Sequence, residues 1–173
     1  MTTVTNVQTQ SLSQVLADMK EMGSSKSIQF LFARMQLAQS KICKTTAEQY
    51  MTQIQEIQDL QAEVADMISE ARRLQDKAEA DDTNTEMPAD MVKFFQKHGL
   101  VENTSGGDHK HSKDQWTENI KSLTNYQESI GNKTQTLMVY LQDAMSQYNS
   151  FVQGASSAIN EASQVLTSVA KGQ

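Results

Sequence analysis

From Trp116 to Val169 apolar side chains recur at alternating steps of three and four residues. The row is Trp116, Ile120, Leu123, Ile130, Leu137, Leu141, Ala144, Tyr148, Phe151, Ala155, Ala158, Ala162, Val165 and Val169, with Gln127 and Thr134 as its polar members. This is the heptad signature of a helix whose seam faces a partner helix. Beside it runs a second row, Met138, Met145, Val152, Ile159 and Leu166, at a strict seven-residue step. The apolar face is therefore wider than a two-stranded seam requires. A helix of roughly 55 residues is about 80 Å long at ~1.5 Å per residue. A domain of this size cannot enclose such a face, so something must pack along its whole length.

The rest of the composition suits long helices. The 173 residues include one proline, Pro88, and seven glycines, and aromatics make up 6%. Few breakers and few aromatics disfavour a sheet or a thick core. A formal net charge of −6 argues against a general nucleic-acid binder, which needs a basic stripe, and against a surface drawn to anionic lipid. Cys43 is the single cysteine, so no intramolecular disulfide or zinc spacing can be built on it; it reads as a thiol packed on a helix. No apolar run approaches the ~20 residues that span a bilayer. Met1–Gln10 is uncharged and rich in Thr and Gln, without the basic start and apolar middle of a cleavable signal peptide. The expectation is a chain that stays in the cytoplasm or leaves by a route that reads no such peptide.

Along the chain, residues 1–10 have nothing to bury and are expected to be disordered. Residues 11–173 then form one helical coiled-coil domain. Its first element is a short amphipathic helix over 11–22, with Leu12, Val15, Leu16, Met19 and Met22 on one face, closed by Gly23-Ser24-Ser25. A long helix follows over 26–80. Its seam reads Ile28, Leu31, Met35, Ala38, Ile42, then Ile57, Leu60, Val64, Met67, Ala71, Leu74 and Ala78, with Phe30 and Phe32 flanking the start. The change of step between Ile42 and Gln53 predicts a stutter. A connector occupies 81–112. It holds a short helix over 88–98 that starts at Pro88 and ends at Gly99, with Leu100 and Val101 folding back, and then an exposed polar loop. The second long helix covers 113–171. Two long helices with matching seams and a connector of this length should fold back antiparallel. The predicted class is all-α: two long antiparallel helices in a coiled coil, with the short helix and loop in the connector.

Catalytic or ligand chemistry has little footing. Asp108, His109 and His111 could chelate a metal, but no third or fourth fixed ligand accompanies them, and they read as exposed loop residues. His98 reads as a cation at a helix C-terminus. Asp81, Asp82 and Glu86 do not match a calcium loop. There is no P-loop, dinucleotide fingerprint, H-E-x-x-H or G-x-S-x-G. The expectation is no enzyme, no cofactor and no metal. Gly131 and Gly154 suggest close approach by a neighbouring backbone. The ten methionines fill core gaps or serve a surface that changes partners.

The stretch Phe32-Ala33-Arg34-Met35-Gln36-Leu37-Ala38-Gln39-Ser40 resembles the start of the first long helix in the EspA/SseB family of type III secretion filament proteins, where a similar F-A-x-M-x-x-A-Q-S run occurs. Met87-Pro88-Ala89-Asp90-Met91-Val92-Lys93-Phe94-Phe95 is similar to the Pro-initiated short helix that follows it in the family. The layout is similar over nearly the whole chain. The resemblance implies a secreted subunit that leaves without a cleaved signal, its N-terminus serving export. It implies self-polymerisation into a hollow, surface-borne filament that conducts effector proteins toward a host cell. Its partners would be further copies of itself, a small helical chaperone before export, and needle and translocator proteins, with no nucleic acid and no membrane insertion. The alternative within the same machinery is a needle-tip or translocator-associated protein forming a small closed oligomer. A membrane-surface helix is disfavoured by the acidic charge.

The physics of the residues points the same way. A wide stripe on a two-helix hairpin must stay partly exposed, and large exposed apolar patches mark interaction surfaces. The predicted assembly and chaperone interface is Ile28, Leu31, Met35, Ile42, Ile57, Leu60 and Val64 on the first long helix. On the second it is Leu123, Ile130, Leu137, Met138, Leu141, Met145, Tyr148, Phe151, Val152, Ile159, Val165 and Leu166. Leu137→Asp or Phe151→Asp should stop assembly, and changes over Asn103–His111 should not.

Overall fold

The computed structural model describes residues 28–104 and 107–172. The proposed N-terminal tail and the 11–22 helix lie outside them. Helix α1 spans Ile28–Asp81, strand β1 Thr85–Glu86, helix α2 Ala89–His98, strand β2 Lys110–His111 and helix α3 Lys113–Ala170. The two long helices pack against each other as an all-α antiparallel hairpin, as their seams require. The chain divides into two compact units. One holds 54–136; the other joins the stretch up to Gln53 to the stretch from Leu137.

The unit over 54–136 owns a conventional core. Val64, Met67, Ile68, Ala71, Leu74 and Ala78 of α1 meet Met91, Val92, Phe94 and Phe95 of α2 and Trp116, Leu123 and Ile130 of α3. Helix α2 acts as the lid that two helices alone could not supply. Pro88 is its N-cap rather than its first helical residue, with φ −57° and ψ 145°. Gly99 ends it at φ 65°. The Gly99 N–H reaches the Gln96 carbonyl at 3.4 Å and the Leu100 N–H reaches Phe95 at 2.9 Å, the paired bonds of a Schellman cap. Leu100 folds onto the core, whereas Val101 is 77% exposed and does not fold back. Asp82, at φ 49°, ends α1 in the same left-handed region, which Asp tolerates better than most residues. Helix α3 opens with a capping box. The Gln115 N–H points at Ser112 Oγ at 3.4 Å, and the Ser112 N–H donates to Gln115 Oε1 at 2.9 Å.

The connector is more ordered than its Gly- and Ser-rich composition suggests. Strands β1 and β2 pair antiparallel, Thr85 with His111 and Glu86 with Lys110. Thr85 Oγ1 donates to the Leu74 carbonyl at 3.0 Å and accepts the Trp116 indole N–H at 2.7 Å. This hydroxyl ties the end of α1 to the start of α3.

The unit containing 28–53 and 137–172 is built differently. Its register is fixed by Tyr50 against Tyr140, with ring centroids 5.8 Å apart, by Cys43 Sγ 3.9 Å from Gln147 Oε1, and by the Gln36 side chain beside Gly154. Small residues fill the seam: Ala33, Ser40, Cys43 and Ala47 are buried on α1, and Ala144, Ala155 and Ala158 on α3. This corrects part of the seam expected for the first half of α1, where Ile42 is buried and Leu31 and Ala38 half-buried but the other members are not. Ile28 and Met35 are 81% and 37% exposed. The seven-residue step that is buried or half-buried is Ala33, Ser40, Ala47, Ile54, Gln61, Ile68 and Gln75, and it runs without a stutter. Gly131 and Gly154 face the side chains of Gln61 and Gln36 rather than a neighbouring backbone.

Candidate assembly interface

Exposed bulk collects in the small-seamed unit. Among the described residues, every exposed large apolar side chain except Val101 lies in 28–53 or 137–172. On α3 the second row stays outside: Met138 is 47% exposed, Val152 36% and Leu166 68%. Met145 and Ile159 are exposed with them. On α1 a matching row, Phe30, Leu37 and Met51, keeps the same seven-residue step, with Lys44 in its gap, and is exposed too.

The geometry of these rows follows from helix periodicity. Leu37, Lys44 and Met51 each follow a seam residue by four, namely Ala33, Ser40 and Ala47. Met145, Val152 and Ile159 likewise follow Leu141, Tyr148 and Ala155. Four residues at ~100° each place a side chain about 40° round from the seam. The two helices run in opposite directions, so the same sense of rotation carries both rows to one side of the pair. The opposite side carries the positions three after a seam residue. There Thr46, Tyr140 and Gln147 border a shallow recess with Cys43 and Asp143. Burial, then the nearby Asp143 carboxylate, pushes the Cys43 thiol up from its ordinary pKa, so it is a packed thiol and not an activated one.

The predicted interface residues fall into three groups. Ile42, Val64, Leu123 and Ile130 are buried within the chain, already covered by their own hairpin or by α2. Leu31, Ile57, Leu60, Leu137, Leu141, Tyr148 and Phe151 are half-buried at or beside the helix pairing. Ile28, Met35, Met138, Met145, Val152, Ile159, Val165 and Leu166 are exposed and open to a partner. The first group is corrected accordingly, because a side chain consumed in the intramolecular seam has no surface left to offer. Phe30, Leu37 and Met51 belong with the third group. The signal for them was the Ala33–Ser40–Ala47 step, which small residues disguised.

The polar connector is a structural clasp. His111 is fully buried, not exposed as its loop composition implied. Its ring stands edge-on to Trp116 with centroids 5.0 Å apart, and its Nδ1 donates to the Asn103 carbonyl at 2.8 Å. Buried Asn119 accepts the Asn103 N–H at 2.7 Å. Glu102 Oε1 lies 2.8 Å from His109 Nδ1 and 3.1 Å from His111 Nε2. Among the described residues no set of three or more His, Cys, Asp and Glu is arranged to hold a metal ion. His98, at the end of α2, is half-buried. Its Nδ1 meets the Tyr126 hydroxyl at 2.8 Å and its ring lies 4.3 Å from that of Phe94. Burial, then Lys97, lowers its pKa against a smaller opposing effect of Glu63, so desolvation sets the direction of the shift. No described helix is long and apolar enough to cross a membrane.

No family model, no curated protein and no solved structure matches this chain.

Proposed function

We propose that the chain is a secreted structural subunit that polymerises into a hollow type III secretion filament conducting effector proteins toward a host cell. The observation that supports this most is the pair of exposed heptad rows on one side of the small-seamed hairpin. A chain that packs alanines inside and leaves Phe, Leu, Met, Val and Ile outside at a strict helical step has a surface suited to other helices. Charge is nearly absent from α3 there: between Leu137 and Ala170 only Asp143 and Glu161 are ionisable in the physiological range. Depletion of charge is a mark of interface cores. Before export the same face needs cover, and a small helical chaperone is the partner of suitable form. The resemblance of residues 32–40 and 87–95 to the EspA/SseB family supports the same reading.

The test is self-association of the purified full chain, followed by light scattering and negative-stain electron microscopy across concentration. Open-ended fibres are expected. A discrete small oligomer would favour the needle-tip alternative. A monomer that persists at high concentration would overturn the proposal.

A further inference from the structure

The small-seamed unit has two sides, and they carry opposite charge. Beside the exposed rows, α1 presents Lys44 within its row and Lys41 on the outer margin, with Arg34 and Glu48 seven residues to either side of Lys41. Lys44 lies 3.8 Å from Glu48. Among the described residues this side holds three cations against one anion, and α3 contributes no charge to it. The margin of α3 here is Gln142, Asn149, Ser156 and Ser163. On the reverse side the charges of α3 are Asp143 and Glu161, and Lys171, just past its end, keeps the seven-residue step of Asp143. Glu161 keeps the seven-residue step of Tyr140 and Gln147, and α1 adds no charged residue to that side. Apolar bulk is present on the reverse as well, in Ile28, Phe32, Met35 and Tyr140, all exposed. Among the described residues each side thus has an apolar centre, one with a net positive rim and the other with a net negative one.

We propose that copies of this chain associate front to back: the cation-rimmed face of one subunit, centred on Leu37, Met145 and Val152, docks on the anion-bearing reverse of the next, around Asp143 and Glu161. This rests on the filament reading and specifies its contact. Front-to-front pairing would close a dimer and bring like charges together, which costs affinity. Front-to-back contact is heterologous: every subunit keeps one face free, so the assembly has no inherent end. The same arrangement gives the fibre a polarity. The exposed rows supply the attraction, and the charges choose the partner face.

Charge reversal tests this on the full-length protein. One variant reverses the front, Lys41→Glu with Lys44→Glu. The other reverses the back, Asp143→Lys with Glu161→Lys. All four positions are exposed, and matching helical circular dichroism and thermal midpoints verify folding. Each variant alone then sets like charges against each other at every contact. Its critical concentration is expected to rise at least about tenfold, the effect of ~1.4 kcal/mol. Mixed in equal amounts, the two present opposite charges at both junctions and are expected to co-assemble as an alternating fibre near the wild-type threshold. In about 1 M salt, where screening is nearly complete, the difference between the separate and mixed samples should vanish. If either variant polymerises alone like the wild type, or the mixture stays inert, the front-to-back contact is wrong while the filament reading stands. If the wild type itself forms no fibre, both fall.

Discussion

Thr85 bridges Leu74 of α1 and Trp116 of α3, and its hydroxyl is satisfied in both directions. Removing one partner leaves a buried polar atom unpaired, which costs about 1–3 kcal/mol. Trp116→Phe keeps most of the ring in the core but deletes the indole donor. It is expected to lower the unfolding free energy by that amount, read as a lower denaturation midpoint at an unchanged slope against denaturant. Asn119→Leu is expected to behave similarly, because Asn103 loses its amide partner. His98 gives a different kind of prediction. Its pKa is lowered in the fold by burial first and Lys97 second, and its Nδ1 lies 2.8 Å from the Tyr126 hydroxyl. Below the unperturbed histidine value of ~6.5 the unfolded chain therefore binds more protons than the folded one. Stability from this group is complete above that value and is lost as pH falls toward the folded pKa. Melting at pH 7.5 and pH 5.5 should show a smaller acid-induced drop in His98→Gln than in the wild type.

At the scale of elements, the caps and seams carry the argument. Gly99 occupies φ 65° with open space where a Cβ would go, so Gly99→Ala meets backbone strain but no clash. The expected cost is about 1–2 kcal/mol, read as a shift of the thermal midpoint. The small-residue seam has the opposite sensitivity. Ala155 and Ala33 are almost fully buried, and Ala155→Leu overfills a contact that depends on close approach, at about 1–3 kcal/mol. These elements also explain what was readable in the sequence. Helix α2 was legible because proline and glycine are unambiguous punctuation, and α3 because its seam carries large residues. The first half of α1 was legible only in part, because periodicity shows in bulky residues, whereas much of the burial went to Ala33, Ser40 and Ala47. The clasp was not legible either. His111 and Asn119 look like loop and helix-surface residues until strand pairing and the approach of Asn103 place them inside, and those depend on contacts distant in sequence.

For the molecule as a whole, the two units divide the work differently, and substitution can separate them. Phe151 and Leu137 are half-buried in the helix pairing, so the acidic substitutions first expected to block assembly would also open the hairpin, and loss of fibres could not be attributed to a contact between copies. Val152 lies one residue from Phe151 but faces outward. Val152→Glu and Met145→Glu place a charge where only a second molecule would bury it, at the cost that attends an unpaired buried charge. Both are expected to abolish fibres while changing the thermal midpoint little, since exposed substitutions stay within about ±0.5 kcal/mol. Phe151→Asp is expected to lower the midpoint clearly. The unit over 54–136 supplies the control. Asp108 and Lys110 are exposed on the clasp, and their replacement by Ser should leave both readouts unchanged. His111→Ala should destabilise the fold through the clasp without removing any exposed row. Fibres of normal yield from Val152→Glu would show that the outward rows are not the assembling surface, whatever the stability measurements gave.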